Sequence, residues 1–309
     1  MPPLVYSTHF NPQLIDAFLG LQLGGGLGFS IIFWTALGSS NIKRNSTFYT
    51  FCIAWILSSL SYCLIFLVGQ QDSPNFGVCV TQAAAIYSAP SLTSCGTLAF
   101  AIDMLLGLRA ASTNMLPRRR YSITLALMIV PYLIWLFLFV GFLVFGLKNP
   151  AFVGKGPNGT YCDLLSFTPA KISGLIVVFA TLPLLFIQGY VGFRLVRNRN
   201  YLKNFKLVQM AIRIMVFSLL GALGLGVGFA YVLYSKQGPV FDIIMAILPA
   251  LGVIIFGVQM DLINVWLFRH PTEDNEVDDD LKTPSVYVAT PRLEDLNPQN
   301  DGRQAGPSG

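Results

Sequence analysis

Residues 122–146 read SITLALMIVPYLIWLFLFVGFLVFG, a run without one charged side chain. About 20 apolar residues in helical form cross the roughly 30 Å hydrocarbon core of a bilayer. This run is long enough to do so. Six further stretches have the same character: Leu14–Gly38, Phe48–Gly69, Val78–Leu108, Ile172–Phe193, Leu207–Tyr234 and Val240–Phe268. Short polar segments separate them. The third and seventh exceed what a bilayer requires, so they are expected to tilt or project. Backbone facing lipid must satisfy its own hydrogen bonds, which selects helices. The expected fold is therefore an all-α membrane protein, a seven-transmembrane helix bundle.

Composition agrees. The chain is 54% hydrophobic and 11% charged, where soluble domains carry about 25% charged residues. Residues 1–268 hold 16 Lys and Arg against 6 Asp and Glu, and residues 269–309 hold 4 against 9. The expected organisation is a short N-terminal segment (1–13), the bundle (14–268) and an acidic tail (269–309) too poor in apolar residues to fold alone. Residues 1–13 lack the positive region of a cleavable signal peptide, so the first span is expected to act as its own insertion signal. The basic residues lie in loops, which removes the case for a nucleic-acid surface.

Those loops set the expected orientation. Lys43 and Arg44 follow the first span, and Arg109, Arg118, Arg119 and Arg120 follow the third. Arg194, Arg197, Arg199, Lys203, Lys206 and Arg213 surround the fifth connection. With the tail, 16 basic residues fall on one side against Lys148, Lys155, Lys171 and Lys236 on the other. Lys and Arg stay in the cytoplasm. The N-terminus is therefore expected outside and the tail inside. Asn158-Gly159-Thr160 then forms a glycosylation sequon on the outer face. A second sequon, Asn45-Ser46-Thr47, falls inside and should stay bare. Cys79 and Cys162 share the outer face, where an oxidising lumen would join them. Cys52, Cys63 and Cys95 read as packing residues.

Several chemistries are excluded. The two histidines, His9 and His270, lie outside the bundle, so neither zinc between helices nor a Ser–His pair in the membrane can be built. The seventh span has no lysine for a retinal Schiff base, and there is no phosphate-binding loop. Neither enzyme activity nor a cofactor is expected.

Charged groups within spans call for a reason. Asp16 and Asp242, near the outer ends of the first and seventh spans, either reach the headgroups or face an outward-opening cavity. Asp103, Arg213 and Asp261 lie near inner ends. Arg213 is expected to pair with Asp103 or Asp261 as a latch on helices three, six and seven, or else to extend to the interface. Pro90, Pro131, Pro183 and Pro249 mark bends. Gly24 and Gly28, like Gly224 and Gly228, have the spacing that lets helices approach closely. Glycines of the sixth span also offer a hinge.

The third span reads Cys79-Val80-Thr81-Gln82, then Tyr87, then Thr97-Leu98-Ala99-Phe100-Ala101. With seven spans, an outer N-terminus and a Cys in the second outer loop, residues 14–268 resemble the G-protein-coupled receptor plan. The third span is similar to that of fungal and amoebal cAMP-receptor-like receptors, with Gly96 where a Trp would stand. The rhodopsin-like signatures are absent, the comparable positions reading Asp103-Met104-Leu105 and Asp261-Leu262-Ile263-Asn264. The overall character resembles divergent orphan receptors of filamentous fungi.

The resemblance implies a multi-pass receptor of the plasma membrane, surrounded by membrane lipids. It would pass binding of an extracellular ligand to a heterotrimeric G protein. Gln82, Tyr87 and Asp242 are the candidate ligand contacts. Arg109, Arg118, Arg119, Arg120, Arg197, Arg199 and Lys203 are the candidate G-protein or anionic-lipid contacts. A seven-helix transporter or lipid-handling protein is the alternative, although no half-to-half repeat is evident. A scaffold signalling through its tail is a third.

Overall fold

The computed structural model describes residues 12–39, 44–113, 120–156, 158–197, 209, 212–222, 239–258 and 260–266. Its helices are α1 (Pro12–Gly38), α2 (Ser46–Leu67), α3 (Phe76–Thr113), α4 (Arg120–Lys148), α5 (Phe167–Arg197), α6 (Ile212–Ala222), α7 (Pro239–Gly257) and α8 (Met260–Trp266). The first five are long and apolar enough to cross a membrane. Their surfaces confirm the environment. Phe137 on α4 is 79% exposed and Phe186 on α5 is 77% exposed, and apolar side chains presented in such number suit lipid, not water. The chain is a multi-pass, predominantly helical membrane protein.

Five of the expected spans correspond to α1–α5, with shifted ends. α3 runs for 38 residues, or about 57 Å at 1.5 Å per residue, and so projects beyond a bilayer. Of the sixth span, residue 209 and α6 are described. The seventh is interrupted after Gly257, and α8 resumes at Met260. Pro90, Pro131, Pro183 and Pro249 all lie inside helices. The tail, like Gly224, Gly226 and Gly228, lies outside the described residues.

Local chemistry sets the turn between α2 and α3. Gly69 takes φ +68° after the last turn of α2, a conformation glycine adopts without steric cost. Asn75 then opens α3 by accepting the backbone N–H of Val78 on Oδ1 at 2.9 Å, the usual capping bond.

α3 is the central helix and packs against α2, α4 and α5, while α1 packs between α2 and α7. The approach of α1 to α7 depends on glycine. A Cβ on Gly25 would stand 2.6 Å from Cβ of Pro249, and one on Gly28 would stand 2.5 Å from the methyls of Val253. The expected Gly24–Gly28 pair is thus half right. Gly24 is exposed with nothing near it, and Gly25 takes its place. A ring cluster fills the middle of the bundle: Phe29 of α1, Phe51 and Trp55 of α2, Phe100 of α3, Phe217 of α6 and Phe256 of α7. The Trp55 and Phe217 centroids lie 5.2 Å apart, and those of Phe51 and Phe256 lie 5.1 Å apart. Cys52 and Cys63 are buried and Cys95 is half-buried, as packing residues.

One element departs from an all-helical reading. After α4, β1 (Val153–Lys155) pairs antiparallel with β2 (Cys162–Leu164), in the register Val153–Leu164, Gly154–Asp163 and Lys155–Cys162. The segment between the two strands returns through Gly159 at φ +69°.

Candidate functional site

The hairpin is held on the bundle by a covalent bond and by buried polar contacts. Cys162 on β2 forms a disulfide with Cys79 of α3. One turn along α3, Gln82 is fully buried. Its Oε1 accepts the backbone N–H of Cys162 at 2.9 Å, and its Nε2 donates to the carbonyl of Tyr62 on α2 at 2.9 Å. Further along α3, Tyr87 donates its hydroxyl to Oδ1 of Asp163 at 2.6 Å. Gln71, in the α2–α3 connection, donates to the carbonyl of Gly159 at 3.2 Å.

The loop between the strands reaches α7. Asn158 Nδ2 and Thr160 Oγ1 both donate to Oδ2 of Asp242, at 2.9 and 3.0 Å, and the Tyr161 hydroxyl donates to its Oδ1 at 2.9 Å. The Tyr161 ring lies 5.6 Å from that of Phe18 on α1 and 5.7 Å from that of Tyr62 on α2. A buried carboxylate needs such donors. Burial, and then the Asp242 carboxylate, push the Tyr161 hydroxyl well above its ordinary value, so it remains a donor. Burial likewise pushes the Asp163 carboxyl up, partly offset by the Tyr87 hydrogen bond. Asp16, by contrast, is exposed. Of the two acids near these helix ends, Asp242 is the one that faces inward.

Gln82, Tyr87 and Asp242 therefore meet, but around the hairpin. None of the three lines the cavity found deeper in the bundle. That cavity has a volume of about 90 Å³ and is bounded by residues from six helices. Gln22 of α1, Trp55, Ser58 and Tyr62 of α2, Thr93 and Thr97 of α3, Thr181 of α5, Ser218 of α6 and Pro249 of α7 all contribute. No charged side chain stands among the described residues around it. Tyr62 is at once a wall of the cavity and a seat for Tyr161. Trp55 and Phe217 form its floor and belong to the ring cluster. Gln22 Oε1 and Trp55 Nε1 are buried here without a hydrogen-bond partner in the protein. The sequence reading missed both. Gln22 had a signal, as an amide among the apolar and glycine residues of the first span, whereas Trp55 carries none that sets it apart from other apolar residues of the second span.

At the far end of the bundle the Asp103 arm of the expected latch is engaged elsewhere. Asp103 is buried, and its Oδ2 accepts Asn45 Nδ2 at 2.9 Å and Thr47 Oγ1 at 2.8 Å, with Thr124 Oγ1 of α4 at 3.5 Å from Oδ1. These donors occupy the carboxylate, and it does not pair with Arg213. Asn45 stands at the N-cap of α2, but its side chain makes no cap bond; it reaches Asp103 instead. Arg213 Nη2 donates to the carbonyl of Val258 at 2.7 Å, at the break between α7 and α8. The side chain of Asp261 lies outside the described residues.

Among the basic candidates, Arg109 lies over the ring of Tyr190 at 5.4 Å and Arg197 over that of Phe193 at 5.7 Å, both exposed. Arg118, Arg119, Arg199 and Lys203, and the side chain of Arg120, lie outside the described residues. Among the described residues no group of acids, histidines and cysteines is arranged to hold a metal. No protein-family model matches the chain, and no curated protein matches it in sequence.

Proposed function

We propose that the chain is a receptor of the G-protein-coupled kind in the plasma membrane. It crosses the bilayer seven times, with the hairpin outside and the tail in the cytoplasm. The observation that carries this reading is the position of the cavity. It lies between a disulfide-pinned hairpin and a cluster of rings drawn from five helices. A ligand seated against Trp55 and Phe217 touches side chains whose packing ties α1, α2, α3, α6 and α7 together. Occupancy would favour one arrangement of those helices only by binding it better than the other. Densely packed rings switch between discrete arrangements, so a small displacement at Phe217 would move α6 at the end where Arg213 meets Val258. A heterotrimeric G protein would read that movement at the basic loops. The excess of basic residues at that end supports its cytoplasmic placement.

The test is nucleotide exchange on a co-expressed Gα subunit, measured with the full chain in membranes. Exchange above that of empty membranes is the expected result. No exchange with any Gα, together with measurable solute flux through reconstituted protein, would replace the receptor by the transporter.

A further inference from the structure

The outward face of α5 carries one stripe that ends in charge. Phe179, Leu182, Phe186, Tyr190, Phe193 and Arg197 are all exposed. They recur at the three- and four-residue steps that keep side chains on one side of a helix. The first three are apolar and suit acyl chains. Arg197 follows Phe186 by 11 residues, about 16 Å at 1.5 Å per residue, which is close to half of the roughly 30 Å hydrocarbon core.

Two guanidiniums lie over the rings that close this stripe. Arg109, near the end of α3, stands 5.4 Å from the Tyr190 centroid, and Arg197 stands 5.7 Å from that of Phe193. Both arginines are exposed. A ring engages the face of a guanidinium and leaves its edge, where the five N–H donors point. That edge matches a phosphate through two parallel hydrogen bonds.

We propose that this α3–α5 face binds an anionic phospholipid, with its phosphate at Arg109 and Arg197 and its chains along Phe186, Leu182 and Phe179. Neither half selects a lipid by itself. An exposed apolar stripe takes any chain, and an exposed charge attracts any anion. Their register on one helix face joins the two requirements. The same register favours lipid over a protein partner for these two arginines, because Phe193, 59% exposed, belongs to the stripe that faces lipid. The site rests on the receptor reading only for its assignment to the cytoplasmic leaflet, where anionic lipids attract basic segments.

The test uses the full chain in lipid nanodiscs, which present both leaflets, and needs no G protein. Spin-labelled phosphatidylglycerol and phosphatidylcholine are compared in a phosphatidylcholine background. The readout is the share of each probe immobilised at the protein surface. Phosphatidylglycerol is expected to be favoured. Arg109→Lys combined with Arg197→Lys keeps every charge but replaces each fork by a point charge. It should reduce the preference about two- to tenfold, the value of one hydrogen bond. Tyr190→Leu combined with Phe193→Leu keeps the arginines and an apolar stripe, and should reduce the preference as well. Soluble glycerophosphoglycerol, a headgroup without chains, should leave the immobilised share unchanged. The comparison of the two lipids on the unaltered protein needs no variant. Equal shares of the two lipids there, full preference in either double variant (a diffuse basic surface only), or displacement by the soluble headgroup would overturn the proposal. Lipid selection without nucleotide exchange on any Gα would leave the site standing and remove the receptor. Exchange without lipid selection would do the reverse.

Discussion

Tyr161 donates its hydroxyl to Oδ1 of Asp242 across 2.9 Å, joining the hairpin loop to α7 over 81 residues of sequence. Asn158 and Thr160 approach the other oxygen of the same carboxylate. Three donors therefore depend on one buried acceptor. Removing it by Asp242→Ala leaves them unmatched and is expected to cost roughly 1–3 kcal/mol. Tyr161→Phe should cost about 1 kcal/mol. The two residues are in contact, so the double variant should lose less than the sum of the singles. Unfolding of purified protein in detergent measures this. Strict additivity would mean that the Tyr161–Asp242 bond contributes nothing.

The same contacts bear on glycosylation. The nitrogen that would carry sugar, Asn158 Nδ2, is held by Asp242, and Thr160 is buried at 1% exposure with its hydroxyl held by the same oxygen. The Asn45-Ser46-Thr47 sequon repeats the pattern, with Asn45 and Thr47 both donating to Oδ2 of Asp103. Each Asn-x-Thr acts as a two-pronged clamp on a carboxylate. Folded protein is accordingly expected to be bare at both asparagines, seen as an unchanged mass after glycosidase treatment. Stoichiometric sugar on Asn158 in folded protein would show that the clamp is not the native arrangement. A bare Asn158 then says nothing about topology, which is better tested by a sequon added ahead of α1.

Asp163 gives a pH dependence whose sign can be worked out. Burial raises its carboxyl above the ordinary 3.8, so the unfolded chain holds the ionised form more readily than the folded one. Its contribution to stability is therefore full below about pH 4 and is lost as pH rises through the folded value. Asp163→Asn keeps an acceptor for the Tyr87 hydroxyl and removes the ionisation. The variant should gain on the parent as pH rises from about 4 to about 7. Paired thermal midpoints across that range measure the gain, and a constant difference would refute the assignment.

The sequence made the lipid-facing part of the fold legible, because apolar length is a local property. α4 is readable from residues 122–146 alone. The Cys79–Cys162 bridge was likewise within reach, since topology put both thiols on one face. The hairpin was not. Val153–Lys155 and Cys162–Leu164 are too short to show alternation, and their pairing is fixed by contacts with α3 remote in sequence. That Gln82, Tyr87 and Asp242 bond to the hairpin and its loop was not legible for a related reason. Polarity in a span signals that a side chain needs a partner, without saying whether the partner is a ligand or another part of the chain. The cavity escaped because its lining comes from six helices, and only their packing brings those residues together.

Packing of α1 on α7 yields a contrast between neighbouring glycines. Gly25→Ala would force its new methyl against Pro249, whose ring and backbone have little freedom to retreat. A loss of about 1–3 kcal/mol is expected. Gly24→Ala meets nothing within 4 Å and should be neutral or slightly stabilising, since alanine is the better helix former. Comparing the unfolding of the two variants tests the register of the interface. Equal effects would mean that α1 is rotated from the position described.

Arg213 closes the far end differently from an ion-pair latch with Asp103, and the difference changes what its removal should do. Its guanidinium donates to the carbonyl of Val258, a backbone group near the end of α7. Arg213→Ala takes away that donor and with it a tie between α6 and the α7–α8 break. If separation of these helix ends is the active arrangement, the variant shifts the equilibrium toward it without ligand. Loss of one charge-assisted bond, about 1.5–3 kcal/mol, corresponds to roughly a ten- to hundredfold rise in the ratio of active to inactive protein. Arg213→Lys, which keeps a donor, should stay nearer the parent. Asp103→Asn should not reproduce the effect, because Asp103 ties α3 to Asn45 and Thr47 and not to α6. Basal nucleotide exchange at matched surface expression measures all three. Equal rates for Arg213→Ala and the parent would remove Arg213 from the switch and leave the floor of the cavity without a route to the far end.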